Sequence, residues 1–301
     1  MDADIVVVGA GIIGLSIARE LTRAGWKCIV LDRQQAGKES SWAGAGMLLP
    51  HGESFPDPVW KARAVEALSG YPEFVAALEQ ESGIAIDFRI SGSIAIENAQ
   101  RFEFPDEAQV DPRDIVAALG ANLDVREHSP VSTIEENGSS VKVRDLKARG
   151  VVIAAGAWSG QIPGMPASFP VRGHLLGYRL EPGTLPAILR SGHTYILQRA
   201  TGYTIVGSTE ENVGFDRRLD RQALASLQRR GEDLWPELRG LQPADAWCGF
   251  RPATPSGLPE VGRLGDRRIW TAFGHFRNGI LLADVTAKLI ARDITSNLQK
   301  D

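Results

Sequence analysis

The beginning of the chain combines a short apolar strand with closely spaced glycines. Ile5 to Val8 are all apolar and β-branched, and the segment Gly9-Ala10-Gly11-Ile12-Ile13-Gly14 follows at once. Apolar residues at helical spacing then continue to Ala24, and Lys27 to Leu31 is a second apolar run. A strand, a glycine turn, a helix and a second strand make a βαβ unit, whose crossover is almost always right-handed. This beginning predicts an α/β protein built around a parallel sheet.

The glycines, together with an acid after the second strand, predict a dinucleotide-binding site. Gly9 permits the tight turn, Gly11 lets the backbone approach a pyrophosphate, and Gly14 lets the helix and the strand pack closely. The N-terminus of the helix offers N–H groups and the positive end of its dipole. Asp32 ends the second strand, where its carboxylate can accept hydrogen bonds from the hydroxyls of an adenosine ribose. These residues leave open whether the cofactor is NAD or FAD.

Later segments of the chain follow two patterns. Val151 to Ala155 is another buried strand that runs into a glycine turn at Gly156, and Ile269 to Phe273 is a further strand followed by a glycine loop and a helix. Residues 161–249 instead contain alternating strands and a helix from Arg221 to Leu234. We therefore expect an antiparallel sheet domain inserted into the nucleotide-binding one.

Shorter signals predict local elements. Ser40 to Leu49 is rich in glycine and alanine, which indicates a loop. Pro58 to Leu78 predicts a helix that is broken at a Gly-Tyr-Pro sequence. Val131 to Ile134 and Val141 to Val143 alternate like the two arms of a hairpin, and Tyr178 to Leu180 predicts a short strand.

Charge and cysteine content exclude several classes of protein. The net charge is -4 and the pI is near 5.8, so we expect no nucleic-acid partner. The two cysteines, Cys28 and Cys248, form no C-x-x-C pair, which predicts neither a disulfide framework nor a metal site. The chain shows no basic leader and no apolar stretch of about 18 residues. We therefore expect a cytoplasmic protein that neither spans nor binds a membrane.

Three specific motifs occur in order along the chain. They are Ser40-Ser41-Trp42-Ala43-Gly44-Ala45-Gly46-Met47, Gly249-Phe250-Arg251-Pro252 and Gly274-His275-Phe276-Arg277-Asn278-Gly279-Ile280-Leu281. Together they resemble the FAD-dependent D-amino-acid oxidase family, and within it the glycine oxidase branch of thiamine biosynthesis. Looser similarity extends over nearly the whole chain. The resemblance implies FAD, rather than NAD, as the cofactor.

The resemblance also implies a fold of two parts. The first is an α/β, Rossmann-like FAD-binding domain of the glutathione-reductase type, and the second is an inserted α+β substrate domain built on an antiparallel sheet. Residues 1–70, 105–160 and 250–301 would form the discontinuous FAD-binding domain. Residues 71–104 and 161–249 would form the substrate-binding domain.

The glycine motif and the resemblance together assign residues to FAD. The predicted cofactor-binding residues are Gly9, Gly11, Ile12, Ile13, Gly14, Asp32, Arg33, Ser40, Ser41, Ala45, Gly46, Met47, Val131, Gly156, His275, Phe276, Arg277, Asn278, Gly279, Ile280 and Leu281. By resemblance, Ala45 to Met47 would line the isoalloxazine ring, and the loop from His275 to Leu281 would lie against its pyrimidine end. Small residues let backbone N–H groups approach the ring, and Arg277 would stabilise the anionic reduced ring.

The same resemblance assigns four residues to the substrate site. Arg251 would grip a substrate carboxylate bidentately, and Tyr195 would offer its hydroxyl to that carboxylate. Arg277 would border the site, and Met47 would keep it small. An amino acid held in this way presents its Cα hydrogen to the flavin, and no strong protein base is required.

The implied reaction is oxidative deamination of glycine or another small amine, such as sarcosine or a short D-amino acid. Hydride would pass to FAD, and molecular oxygen would be reduced to hydrogen peroxide. The family often forms homo-oligomers, so a dimer or a tetramer is expected. Two alternatives stay open: a dehydrogenase of the same fold with a different electron acceptor, and a shortened FAD-binding member without catalytic activity.

Three departures from the family pattern accompany the resemblance. Glu210 occupies a position beside the expected substrate pocket where the family often has an apolar residue. The chain is shortened near residues 97–102, 119–124 and 143–150, which we expect to be peripheral. Related sarcosine oxidases attach the flavin to a cysteine close to Cys248, but the matching residue here is Gly249. Non-covalent FAD is therefore expected.

Overall fold

The computed structural model describes residues 1–51 and 55–298. In this part the helices are α1 (Ile12–Arg23), α2 (Ser40–Ala43), α3 (Pro58–Ser69), α4 (Tyr71–Ser82), α5 (Pro112–Gly120), α6 (Arg221–Leu234) and α7 (Ala283–Asn297), with 3₁₀ turns at Gly156–Gln161 and Pro236–Leu238. The strands are β1 (Ile5–Val8), β2 (Cys28–Leu31), β3 (Met47–Leu48), β4 (Phe88–Arg89), β5 (Ser93–Glu97), β6 (Gln100–Phe104), β7 (Ala108–Val110), β8 (Val125–Arg126), β9 (Ile134–Asn137), β10 (Ser140–Val143), β11 (Leu146–Ala148), β12 (Gly150–Ile153), β13 (Phe169–Arg179), β14 (Ile188–Ser191), β15 (Thr194–Gln198), β16 (Tyr203–Gly207), β17 (Asp245–Ala253), β18 (Glu260–Arg263) and β19 (Ile269–Phe273).

A six-stranded sheet carries the glycine turn. Its strand order is β18-β19-β12-β1-β2-β8, and each neighbouring pair is parallel except β18 with β19. β1 lies between β12 and β2, and all four of its side chains are buried. The first two apolar runs and the run before Gly156 therefore lie side by side, which confirms the predicted α/β fold.

Separate layers cover the two faces of this sheet. On one face, Val7 packs in a cluster with Leu15 of α1 and Ile290 of α7. On the other face, Val6 packs with Val141 from the three-stranded antiparallel sheet β9–β11. Adjacent valines reach opposite layers because successive side chains of a strand alternate. Burial on both faces stabilises the strand that ends at Gly9.

A seven-stranded sheet forms the second part of the fold. Its order is β17-β13-β16-β15-β14-β5-β6, and each neighbouring pair is antiparallel except β14 with β5. One face packs on α6, where Leu227 shares a cluster with Ile196. The opposite face carries Tyr195 and Leu197, which cluster with Ala45 from the glycine-rich loop. The predicted antiparallel sheet is therefore present, with one parallel pair.

The glycine-rich loop is more ordered than its composition indicates. Residues 40–49, predicted as a loop, contain the short helix α2 and the strand β3. Met47 and Leu48 pair with Gln109 and Ala108 of β7, and this pairing draws the segment into a small sheet. Backbone pairing with a distant strand is not visible in local composition.

Two strands differ in extent from their predicted bounds. The first arm of the hairpin begins at Ile134, opposite Val143, whereas Val131 lies before the strand. β13 is eleven residues long and contains the short strand predicted at its end almost entirely. The buried polar side chains Arg172 and His174 interrupt its apolar pattern, so its first part could not be predicted from periodicity.

The two sheets draw on different parts of the chain. The strands of the six-stranded sheet lie within residues 5–31, 125–126, 150–153 and 260–273. The strands of the seven-stranded sheet lie within residues 93–104 and 169–253. β17 runs across the proposed domain boundary at residue 250 and is paired along its whole length with β13. The exact division into two domains therefore remains a prediction. Within the described residues, no helix has the length and apolar character needed to cross a membrane.

Candidate active site

A cavity of about 530 Å³ has walls from both sheets. One part of its wall, called here the nucleotide part, consists of the glycine turn after β1, the end of β2 and residues around Val131 and Gly156. Another part, called here the substrate part, consists of Met47, Tyr195, Arg251 and Arg277. The cavity thus lies at the carboxyl ends of the parallel strands, where α/β proteins commonly bind ligands.

The glycine turn brings backbone to the surface of the nucleotide part. Gly9 has φ +110, and a Cβ added to it would lie 2.4 Å from the carbonyl oxygen of Ala154. A Cβ on Gly14 would lie 1.9 Å from the carbonyl oxygen of Gly9. Gly11 is the N-cap of α1, and the hydroxyl of Ser41 accepts the N–H of Ile12 at 3.0 Å. Glycine is therefore required for a turn that can approach a phosphate group at the helix N-terminus.

Asp32 connects the end of β2 to the glycine turn. Its two carboxylate oxygens accept the backbone N–H groups of Ala10 at 2.7 Å and Gln34 at 2.8 Å. Burial raises the pKa of Asp32, while these two hydrogen bonds oppose the rise. A carboxylate has about four acceptor positions, so Asp32 can accept a ribose hydroxyl as well. The nucleotide part fits the ADP half of FAD.

An arginine and a tryptophan stack beside Asp32. The guanidinium carbon of Arg33 lies 3.8 Å from the ring centroid of Trp158, and both residues line the cavity. Glu39 accepts from Arg33 at 2.9 Å, and Phe215 stacks on Trp158 with 4.8 Å between centroids. Trp158 was not among the predicted site residues. Its position two residues after the Gly156 turn was the signal that could have identified it.

The loop from Ala45 to Met47 presents small residues and backbone to the cavity. Gly46 has φ +79, and an added Cβ would lie 1.8 Å from the carbonyl oxygen of Val110. A Cβ on Gly44 would lie 2.9 Å from Cδ1 of Ile280. A larger residue at Gly44 or Gly46 would therefore have to displace Ile280 or the backbone of Val110. Such a close-packed loop leaves room for a flat ring system against its backbone.

The loop after β19 contributes a second backbone surface. His275, Phe276, Arg277, Asn278, Gly279 and Ile280 line the cavity. The imidazole of His275 is buried, with Nε2 at 2.9 Å from the Thr286 hydroxyl, and burial lowers its pKa to about 3. Leu281 is a correction to the predicted set, because it lies in the buried core cluster and outside the cavity wall. Its side chain fills the interior instead.

Arg251 reaches the cavity from β17. Its Nη2 donates to the Ser208 hydroxyl at 2.6 Å and to the Thr209 carbonyl oxygen at 3.2 Å. A Cβ on Gly173 of β13 would lie 2.6 Å from both Nη1 and Nη2 of Arg251. Gly173 therefore provides the space through which the guanidinium passes. Gly173 and Ser208 both line the cavity, and neither was among the predicted site residues.

Tyr195 reaches the same cavity from β15. It is opposite Gly207 in the β15–β16 pairing, and a Cβ on Gly207 would lie 2.2 Å from the Tyr195 hydroxyl oxygen. Met47 packs against the same apolar cluster as Tyr195. Glycine inside a strand often marks a close approach by another group, and this was the available signal for Gly173 and Gly207.

The structure brings most predicted site residues together. Every residue predicted for cofactor or substrate lies on the cavity wall except Gly14, which packs helix against strand as expected, and Leu281. Glu210, expected beside the substrate pocket, is exposed and lies outside the cavity wall. Among the described residues, no group of three or more His, Cys, Asp or Glu side chains could hold a metal ion.

Cys248 and Gly249 differ in their relation to the cavity. Gly249 lines it, and an added Cβ would lie 2.3 Å from the Cβ of Ala43. The thiol of Cys248 lies 3.3 Å from the carbonyl oxygen of Arg217 and is not part of the wall. Adjacent residues of a strand face opposite sides, which explains the difference.

Comparisons with known proteins agree with this geometry. The family described as FAD dependent oxidoreductase (DAO) matches residues 4–103 and 96–292. Glycine oxidase of Pseudomonas aeruginosa is 29% identical over 343 aligned residues, which cover 97% of this chain and 94% of the relative. The bifunctional protein ThiO/ThiG of Trichormus variabilis is 30% identical, over 97% of this chain and 52% of that protein.

Solved structures show the same fold. Glycine oxidase from Geobacillus kaustophilus superimposes with a TM-score of 0.92 at 24% identity, over 99% of this chain and 95% of that chain. Iminodiacetate oxidase from Chelativorans sp. BNC1 superimposes with a TM-score of 0.89 at 19% identity, over 99% and 96% of the two chains.

The aligned length also bears on the shortened segments. The 343 aligned positions exceed the 301 residues of this chain, so the Pseudomonas relative contains stretches that this chain lacks. Near residue 98 the structure has only a two-residue turn, Asn98-Ala99, between β5 and β6. This turn lies outside the cavity wall. The chain belongs to the FAD dependent oxidoreductase (DAO) family, and it is an enzyme whose cofactor is FAD.

Proposed function

We propose that this enzyme oxidises the amine of glycine or another small amino acid or amine. When bound in the cavity, FAD would supply the acceptor for a hydride from the substrate carbon, and molecular oxygen would be the final oxidant, reduced to hydrogen peroxide. The imine formed from a primary amino acid then reacts with water to give an oxo acid and ammonia, whereas the imine formed from sarcosine would give an oxo acid and methylamine. The observation that carries this proposal is the position of Arg251 and Tyr195 on the same cavity wall as the Ala45–Met47 loop.

Arg251 is the proposed anchor for the substrate carboxylate. Its planar guanidinium can donate two parallel hydrogen bonds to a carboxylate. The Ser208 hydroxyl and the Thr209 carbonyl oxygen both accept from Nη2, so one of these two contacts is proposed to give way when a carboxylate binds bidentately. The Tyr195 hydroxyl, on the same cavity wall, is proposed to add a third donor. Together these groups orient the Cα–H bond of the substrate.

The apolar wall of the substrate part favours small substrates. Met47, Leu49 and Leu175 line the cavity and belong to one apolar cluster together with Tyr195. Met47 is proposed to contact the side of the substrate that carries its substituent. A bulky side chain would need to displace this packed cluster, which is costly.

The proton chemistry of the site does not rely on His275. Because burial lowers the pKa of this imidazole to about 3, it is neutral at physiological pH and very weakly basic. The substrate amine is therefore proposed to lose its proton before hydride transfer, without a histidine base. Arg277 is proposed to stabilise the negative charge that develops at the pyrimidine end of the flavin.

Anaerobic reduction of the bound flavin tests the proposal. The purified holoenzyme is mixed with glycine, sarcosine, D-alanine and a larger D-amino acid, and the absorbance of the flavin is followed. We expect bleaching with at least one of the small amines, and hydrogen peroxide when oxygen is admitted. Bleaching with no reaction toward oxygen would identify a dehydrogenase. No bleaching with any amine would overturn the proposal and favour a non-catalytic role.

Two properties of the cofactor and the assembly belong to the same proposal. FAD is proposed to bind non-covalently, because the Cys248 thiol lies outside the cavity wall and Gly249 lies on it. Denaturation should release all the yellow colour into solution. We propose that the enzyme acts in the cytoplasm as a dimer or a tetramer. Its oxidised product is proposed to enter thiamine biosynthesis. Growth of a deletion strain with and without thiamine, and light scattering of the purified protein, test it.

A further inference from the structure

A buried arginine that carries no role in the proposed reaction connects the two parts of the site. Arg199 follows β15, four residues after Tyr195, and its side chain is 4% exposed. Its Nη2 donates to the carbonyl oxygen of Ala45 at 2.5 Å, and its Nη1 donates to the carbonyl oxygen of Val110 at 2.8 Å. One guanidinium therefore joins the seven-stranded sheet to the glycine-rich loop and to β7.

The two carbonyl groups that Arg199 binds belong to one tightly closed unit. The N–H of Val110 donates to the carbonyl oxygen of Gly46 at 2.9 Å, and Gly46 has the positive φ described above. Ala45 and Gly46 are thus held from one side by β7 and from the other by Arg199. Without the guanidinium, the Ala45 carbonyl would lose its buried donor.

The electrostatic environment shows that ion pairing alone does not explain this arginine. The nearest carboxylate contact is between Nε and Asp111 Oδ2, at 3.8 Å, which is too long for a hydrogen bond. Burial lowers the pKa of Arg199, and the nearby carboxylates of Asp111 and Asp87 offset this lowering only in part. A buried cation is costly unless its hydrogen bonds are well made, and here the short bonds go to backbone carbonyl groups. The arrangement therefore favours a specific position of the loop over ion-pair stability.

We propose that Arg199 is a positioning residue that sets the distance between the flavin loop and the substrate-binding strand. Tyr195 and Arg199 both lie at odd positions along β15 and its extension, so they project from the same face of the strand. The same short segment thus carries the Tyr195 hydroxyl, which is proposed to bind the substrate, and the Arg199 guanidinium, which binds the Ala45 carbonyl oxygen. This inference rests on the proposed function for its kinetic consequence, but not for its effect on the bound flavin.

The test compares Arg199→Met with the wild-type holoenzyme. In the variant we expect an altered flavin absorption band, a shifted reduction potential and weaker FAD binding. The rate constant for flavin reduction by the best amine should fall on the order of 10- to 100-fold, as expected for a small misplacement of reacting groups. The affinity for a non-reacting carboxylate analogue should change by less than about threefold, because Arg251 and Tyr195 remain.

Two further variants separate positioning from a general loss of stability. Arg199→Lys keeps the charge but cannot serve both carbonyls in the same geometry, and it should recover part of the reduction rate. Arg19→Met is the matched control, since Arg19 is also buried but donates to Glu81, at 2.6 and 2.7 Å, away from the flavin loop. It should lower the unfolding temperature and leave the flavin spectrum and the reduction rate unchanged.

The outcomes are distinguishable from failure of the proposed function. If Arg199→Met has the wild-type flavin spectrum and reduction potential, the inference is overturned whatever the substrate is. If the methionine variant does not fold, Arg199→Lys decides: wild-type values for the spectrum, potential and reduction rate overturn the inference. If no amine reduces the wild-type flavin, the proposed function fails, and the spectrum and potential still test Arg199.

Discussion

The two parts of the cavity are built in different ways. The nucleotide part comes mainly from one continuous βαβ unit, in which Gly9, Gly11 and Asp32 act within a short stretch of chain. The substrate part brings together residues from distant segments, on β15 and β17 and in the loop after β19. Backbone groups dominate the first part, whereas long side chains dominate the second. Substitutions in the two parts should therefore have separable effects on FAD affinity and on turnover.

The largest expected effect is in the substrate part, at Arg251. Arg251→Ala removes the charged donor proposed for the substrate carboxylate, a loss on the order of 2 to 4 kcal/mol in transition-state binding. Catalytic efficiency, kcat/KM, should fall by roughly 30- to 1,000-fold, while the flavin stays bound. Steady-state kinetics and the absorbance of the purified holoenzyme measure the two quantities. Unchanged kinetics, or loss of FAD instead of activity, would contradict the separation of the two parts.

The next effect is at Gly173, which lies beside the Arg251 guanidinium. Gly173→Ala places a Cβ 2.6 Å from the Arg251 guanidinium nitrogens and must displace them. We expect kcat/KM to fall about 10-fold or more through misplacement of the anchor, with FAD retained. Gly120→Ala is the control, because a Cβ there meets nothing within 4 Å and its φ is not in the left-handed region. Equal kinetics for the two variants would show that the space beside Arg251 is not required.

Asp32 tests the nucleotide part. Asp32→Ala removes the acceptor proposed for the ribose and leaves the N–H groups of Ala10 and Gln34 without its carboxylate. FAD affinity should fall about 10-fold, corresponding to roughly 1 to 2 kcal/mol, and kcat at saturating FAD should stay near wild type. Isothermal titration of the apoprotein with FAD measures the affinity. A lower kcat at full flavin occupancy, with no change in affinity, would contradict the comparison.

The smallest effect concerns pH and His275. The unfolded imidazole has the usual pKa of 6.5, whereas burial lowers the folded pKa to about 3. Between pH 6.5 and about pH 3 the unfolded chain takes up a proton that the folded protein does not. The free energy of unfolding therefore decreases as the pH is lowered through this range. At pH 5.5, one unit below the unfolded pKa, the free energy of unfolding is lower by about 1 kcal/mol.

His275→Gln should remove this part of the pH dependence. Urea unfolding of the wild-type and variant holoproteins at pH 7.5 and pH 5.5 measures the change in free energy of unfolding with pH. His128→Gln is the control, because His128 is exposed. The decrease on acidification should be smaller by about 1 kcal/mol in the His275 variant only. The same decrease in all three proteins would show that His275 does not stay neutral when folded.

Regular elements could be predicted where local pattern and packing agree. α6 (Arg221–Leu234) and β19 (Ile269–Phe273) have the bounds that their periodicity predicts, and the helix break at Gly70 separates α3 from α4. Val131 lies before β9 although it was predicted in that strand, and most of β13 was not predicted because buried Arg172 and His174 hide its alternation. Polar side chains that are buried through distant partners mislead any argument from hydrophobic pattern.

The nucleotide turn could be read from local sequence, because a positive φ, a helix N-terminus and an acid at a strand end are properties of neighbouring residues. The three motifs also indicated the family and its cofactor. The folded structure was needed to show that Gly173 and Gly207 make room for Arg251 and Tyr195, and that Arg199 binds the carbonyl oxygen of Ala45. These relations depend on which residues stand opposite one another in a sheet. That register is set by the packing of the whole molecule and not by any single segment.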